Sequence, residues 1–192
     1  MNFVWKLSGM LLLFVGLSAF TLNSTSNVET EEEKINWLSI EEALELSKDE
    51  PRKLIIDIYT DWCGWCKRMD KETFRHPDIV KYVNRNYYAV KLNGESKETI
   101  TLGERDYNFI PTKGKKGVHE LADYLMRGNP TYPSVAFLDE KMAVITVEPG
   151  YKEPRTMDKV LRYIGDNHYQ NTPWAMFDRT YRSKIKKSKK RK

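Results

Sequence analysis

The sequence predicts an α/β fold, a sandwich with a mixed central sheet and helices on both faces. Strand-length apolar runs and helix-period segments follow one another as strand, helix, strand, helix, strand, strand, helix. The run Lys53 to Thr60 is almost continuously apolar, the pattern of a strand covered on both sides. With 192 residues, 40% of them hydrophobic, the chain is long enough for one sizeable core and too short to favour two.

Residues 1–20 carry Lys6 followed by the apolar run Leu7 to Phe20. That run falls short of the about 20 residues of a bilayer span and fits the roughly 7–15 of a signal-peptide core. It is read as an export signal, with an uncleaved N-terminal anchor as the alternative because Gly16-Leu17-Ser18 matches a cleavage site imperfectly. No cysteine closes the run, which argues against a lipid-modified N-terminus. Residues 21–34 are polar and then acidic, a flexible linker that cannot bury enough apolar surface to fold alone.

A folded domain is expected over residues 35–170. Ser39 with Glu42 makes a capping box for a helix from Ile40 to Ser47, with Ile40, Ala43, Leu44 and Leu46 on its apolar face. Pro51 ends that region and the strand Lys53 to Thr60 follows. A helix opened by the cysteines runs to about Phe74, and His76-Pro77 starts another with Ile79, Val80 and Val83 on its inner side. Tyr87 to Leu92 is the next strand. An insertion at about 93–117 then breaks the rhythm with little regular pattern, around the island Tyr107-Asn108-Phe109-Ile110-Pro111. It reads equally as a partner-binding flap or a solvated loop.

His119 to Met126 is a short helix stopped by Gly128-Asn129-Pro130. Ser134 to Leu138 and Ala143 to Val147 form an antiparallel pair about Asp139-Glu140-Lys141. Pro154 opens the last domain helix, with Met157, Val160, Leu161 and Ile164 at helical spacing. Residues 171–192 begin as an amphipathic helix through Trp174, Phe177 and Tyr181 and end in a basic tail, Arg182 to Lys192. The tail accounts for the whole formal excess of +5. It suits an anionic membrane surface or an acidic partner, or serves as a solubilising end. A nucleic-acid arm would fit the charge but conflicts with export.

The chain's two cysteines are Cys63 and Cys66. Their spacing puts both on one helical turn, close enough for either a dithiol or a disulfide. At the start of a helix, free backbone N–H groups and the dipole favour a thiolate at Cys63, the expected nucleophile. Cys66, one turn deeper and behind Trp65, is the expected resolving thiol. Zinc would need two more ligands, and His76, His119 and His168 are scattered without ligand spacing, so no metal is expected. A purely structural disulfide would close too short a loop to contribute much. Asp57 lies inside the covered strand, where desolvation should raise its pKa and let it exchange a proton near neutrality.

Trp62-Cys63-Gly64-Trp65-Cys66-Lys67, Asp57 six residues before Cys63, Ala89-Val90-Lys91-Leu92-Asn93, and Tyr132-Pro133 before a strand together resemble the thioredoxin family. More specifically, the sequence resembles the exported thioredoxin-like branch with tryptophan between the cysteines, over roughly Trp37 to Tyr169. The resemblance implies a thioredoxin-like sandwich in which Asp57 is the buried acid that accepts the proton of the deeper cysteine and Lys91 is its charge partner. It implies a cis peptide at Tyr132-Pro133 beside the dithiol, with Trp62, Gly64, Trp65, Tyr132 and Pro133 contacting substrate. The implied activity is thiol–disulfide oxidoreduction outside the cytoplasm, in a bacterial periplasm, on protein disulfide or dithiol substrates. A membrane or soluble electron donor would recharge it, with no cofactor beyond the Cys63–Cys66 pair. Trp65 stands where thioredoxin has proline, which leaves the redox potential open, and neither the insertion nor the tail has a counterpart in a minimal thioredoxin. The contrasting expectation is a non-catalytic module of the same fold that docks on a membrane or partner through the insertion or tail.

Overall fold

The computed structural model describes residues 33–111 and 117–186. The expected signal segment, the linker through residue 32, part of the insertion and the last residues of the basic tail lie outside the described residues. In chain order the elements are β1 (Trp37–Leu38), α1 (Ile40–Asp49), β2 (Lys53–Tyr59), α2 (Gly64–Glu72), α3 (Pro77–Asn86) and β3 (Tyr87–Asn93). There follow β4 (Ile100–Leu102), β5 (Arg105–Tyr107), β6 (Phe109–Pro111), β7 (Gly117–His119), α4 (Glu120–Leu125), β8 (Ser134–Leu138), β9 (Val144–Pro149), α5 (Pro154–Gly165) and α6 (Trp174–Thr180).

Local signals start the helices. The Ser39 hydroxyl accepts from the Glu42 N–H while the Glu42 carboxylate accepts from the Ser39 N–H, the reciprocal cap read from the sequence. Pro77 and Pro154 occupy the first turns of α3 and α5.

The five-stranded sheet has the order β1-β3-β2-β8-β9, with β1 and β2 parallel to β3 and with β8 antiparallel to both β2 and β9. Strand β2 is therefore central and buried on both faces, as its apolar run requires. Leu54, Ile56 and Ile58 point to one side, against Ile40 and Ala43 of α1 and Leu121 and Leu125 of α4. Ile55 points to the other, with Phe137 of β8, against Met69 of α2 and residues of α3 and α5. Side chains alternate along a strand, so Asp57 falls on the same face as Ile55.

The insertion is more ordered than its sequence suggests. It forms two antiparallel ribbons, β4 with β5 and β6 with β7. Tyr107 is buried, Ile100 and Leu102 pack on the α1 side of the core, and the Thr101 N–H donates to the Glu41 carboxylate. Strands of three residues carry too little periodicity to be read in advance. At the far end the packed body continues beyond residue 170, with Phe177 and Ile185 both buried. On α1, Leu46 is exposed rather than part of the inner face. No described helix is long and apolar enough to cross a membrane.

Candidate active site

Strand β2 delivers the chain through Thr60, Asp61 and Trp62 to Cys63, which caps α2. The Cys63 N–H donates to the Thr60 carbonyl at 3.1 Å, and the Cys66 N–H donates to Cys63 Sγ at 3.0 Å. Cys63 and Cys66 are joined as a disulfide, S–S 2.09 Å with Cα atoms 5.3 Å apart. Their exposures are alike, 4% and 3%, so accessibility does not rank the two sulfurs. What separates them is position: the first turn of α2 turns its free N–H groups towards Cys63 Sγ.

The two flanking tryptophans stand outward. Trp65 is 56% exposed. It lies against Tyr151, ring centroids 5.5 Å apart, with the Arg68 guanidinium over both rings. Trp62 is held on the other flank. Its indole N–H donates to the Glu95 carboxylate at 3.0 Å, and its ring meets Tyr132 edge-on at 5.9 Å.

The Tyr132–Pro133 peptide is cis and leads into β8. The start of the insertion closes in beside it. Gly94 donates its N–H to the Tyr59 carbonyl at 2.7 Å, and a Cβ built there would collide with the Tyr132 ring and hydroxyl. Burial, with the charges of Glu95 and Asp123 adding, pushes the Tyr132 hydroxyl up to about 12. Asn93 donates to the Asp61 carboxylate, tying the insertion to the loop before the cysteines.

Under the disulfide-bearing helix lies Asp57, 1% exposed. The β2–β3 register sets it opposite Lys91, and Lys91 Nζ donates to Asp57 Oδ2 at 2.8 Å. Burial raises the Asp57 pKa from 3.8 to about 6, opposed by the charge and hydrogen bond of Lys91. Burial works against the Lys91 charge, but Asp57 and Asp70 outweigh it and the ammonium pKa is raised. The ammonium sits near the rings of Trp37, Tyr59 and Phe74, at 4.9, 5.0 and 5.9 Å.

Asp70 also accepts from Lys91 Nζ and was missed in the sequence. The signal was available: Asp70 follows Cys66 by four residues on α2, which puts both on one helix face. Among the described residues no group of three His, Cys, Asp or Glu could hold a metal ion. The arrangement is that of a dithiol–disulfide pair at a helix N-terminus, with a buried acid that titrates near neutrality beneath it.

A family model described as a thioredoxin-like domain matches residues 40–165. Among curated proteins, the chain is 24% identical over 121 residues to the thiol:disulfide interchange protein DsbD of Pectobacterium atrosepticum. The match covers 57% of this chain but only 21% of that protein, so the chain spans about a fifth of its length. Among solved structures, a thioredoxin-fold protein from Helicobacter pylori superposes with a TM-score of 0.51 at 18% identity, over 67% of this chain and 79% of that one. A thioredoxin from Thermus thermophilus gives 0.51 at 17% identity, over 68% and 87%. These likenesses show the fold.

Proposed function

The chain belongs to the thioredoxin-like domain family, and on that premise we propose that it is an exported thiol–disulfide oxidoreductase acting on protein disulfides. The observation that carries the proposal is the Cys63–Cys66 disulfide at the start of α2, above the Asp57–Lys91 pair and in the same chain as cis Tyr132–Pro133. In the reduced protein the Cys63 thiolate attacks one sulfur of a client disulfide, forming a mixed disulfide and releasing the first client thiolate. The Cys66 thiol then gives its proton to the Asp57 carboxylate and attacks Cys63 Sγ. The second client thiolate leaves, and Cys63 and Cys66 are left as the disulfide. The client gains two electrons, and a dithiol donor, soluble or in the membrane, returns two to this protein.

Trp62, Gly64, Trp65, Tyr132 and Pro133 would line the client's path. Residues 1–20 would direct export to a bacterial periplasm, a reading supported by the short apolar run after Lys6. The basic tail leaves from the buried Ile185 and would meet an anionic membrane surface.

Two measurements test this. Cys66→Ser should leave Cys63 trapped in mixed disulfides with clients, and recovering none from cells would count heavily against the activity. The potential of the pair in glutathione buffers separates directions: a value near about −270 mV marks a reductant, one near about −120 mV an oxidant. A pair that does not cycle would leave a docking module of the same fold.

A further inference from the structure

Lys91 serves two carboxylates at once. Its ammonium donates to Asp57 Oδ2 at 2.8 Å and to Asp70 Oδ1. The two acids differ in setting, because the Asp57 side chain is 2% exposed and that of Asp70 40%. Asp57 Oδ1 has no hydrogen-bond partner among the described residues, so Lys91 is the cation that opposes the effect of burial on this carboxyl. The rings of Trp37, Tyr59 and Phe74 lie within about 6 Å of the same ammonium.

We propose that Asp70 is a positioning residue for Asp57: it holds Lys91 in a shared rather than an exclusive ion pair and so limits how firmly the ammonium holds the Asp57 carboxylate. An exclusive ammonium would turn its full charge and its donors to Asp57 and hold it ionised. Shared with a solvated carboxylate, the same ammonium is partly answered from outside, and burial is left to raise the proton affinity of Asp57. The negative charge of Asp70 acts in the same direction.

The other groups around Asp57 do not supply this control. Strand β8 presents Val135 opposite it, and α3 and α5 turn apolar side chains to this face. The Tyr59 phenol, whose pKa burial raises, stays neutral in this range. The Cys66 thiol becomes titratable when the disulfide is reduced.

The consequence for catalysis rests on the oxidoreductase reading, since a base for Cys66 must be ionised to accept the proton and neutral enough to keep it. The coupling itself is measured without that reading. In the oxidised full-length protein, the Asp57 carboxyl carbon is titrated by NMR in wild type, Asp70→Asn and Asp70→Glu. Asp70→Asn should lower the Asp57 midpoint by about one pH unit, a tenfold loss of proton affinity, while Asp70→Glu should keep it near wild type. In the reduced protein, the pH profile of the Cys66 step should move down with it. Asp70 is half-exposed, so neither variant opens the core. An unchanged or raised midpoint in Asp70→Asn overturns the proposal. A lowered midpoint in a protein that reduces no disulfide would keep the coupling and remove the oxidoreductase reading instead.

Discussion

Asp57 and Asp158 are both almost fully buried, 1% and 2% exposed, yet the fold settles them in opposite ways. Asp158, on α5, has both oxygens bonded: Arg162 Nε donates to Oδ1 and the Tyr181 hydroxyl to Oδ2, each at 2.9 Å. Tyr181 follows α6, so this acid fastens the end of the chain to the domain. Asp57 has one oxygen on a lysine shared with a second acid and the other without a partner among the described residues. A buried carboxylate that is completely bonded is an anchor; one left half-bonded is available for chemistry.

The contrast is broken most directly by removing each charge. Asp158→Asn should lower unfolding free energy by about 1–2 kcal/mol in urea melts, because it removes the carboxylate that accepts from both Arg162 and Tyr181. Asp57→Asn should do the reverse, raising stability at pH 7 by up to about 3 kcal/mol while slowing the Cys66 step, since a carboxyl with a folded pKa of about 6 against 3.8 is costly to ionise. Equal losses from both would mean that the two acids are alike after all. Lys91 keeps Asp70 as a partner in Asp57→Asn, so no orphaned cation offsets the gain.

The same difference has a pH signature. Between pH 4 and 6, near the unfolded and folded values of Asp57, the native protein binds more protons than the unfolded chain. The Asp57 contribution to stability therefore falls as pH rises through that window and levels off above it. Asp57→Asn should lose this limb and Asp158→Asn should keep it. A wild-type stability that does not fall relative to that of Asp57→Asn as pH rises across the window would refute the assignment to Asp57.

A smaller effect is expected at the rim. Gly94→Ala should cost about 1 kcal/mol, because its Cβ meets the half-buried Tyr132 ring, which can yield only by moving against Trp62. It should raise KM for a disulfide client with little change in kcat and alter the tryptophan emission. An unchanged KM would remove this wall from client binding.

What could be read in advance was what neighbours in sequence decide. The Ser39–Glu42 cap, the proline-opened helices, the covered strand β2 and the cysteine pair at a helix start each depend on residues within one turn or one alternation of each other. Asp57 was legible because a charge inside an apolar run is conspicuous. The partnership of Lys91 with Asp57 came by family resemblance, and the β2–β3 register now gives its physical basis.

Other features waited on the tertiary structure. The strand β1 spans two residues and exists because β3 offers it an edge. The ribbons of the insertion are held by pairing and by α1, and Ile185 is buried although it stands in a run of lysines. The outward turn of Trp65 needed Tyr151, far along the chain, to receive it. The fold class, the cysteine pair and the buried acid follow from periodicity and local backbone chemistry, which neighbouring residues carry. How that acid's charge is shared with Lys91 and Asp70 emerges on folding, because electrostatic balance in a core depends on which distant side chains meet and how much water they lose.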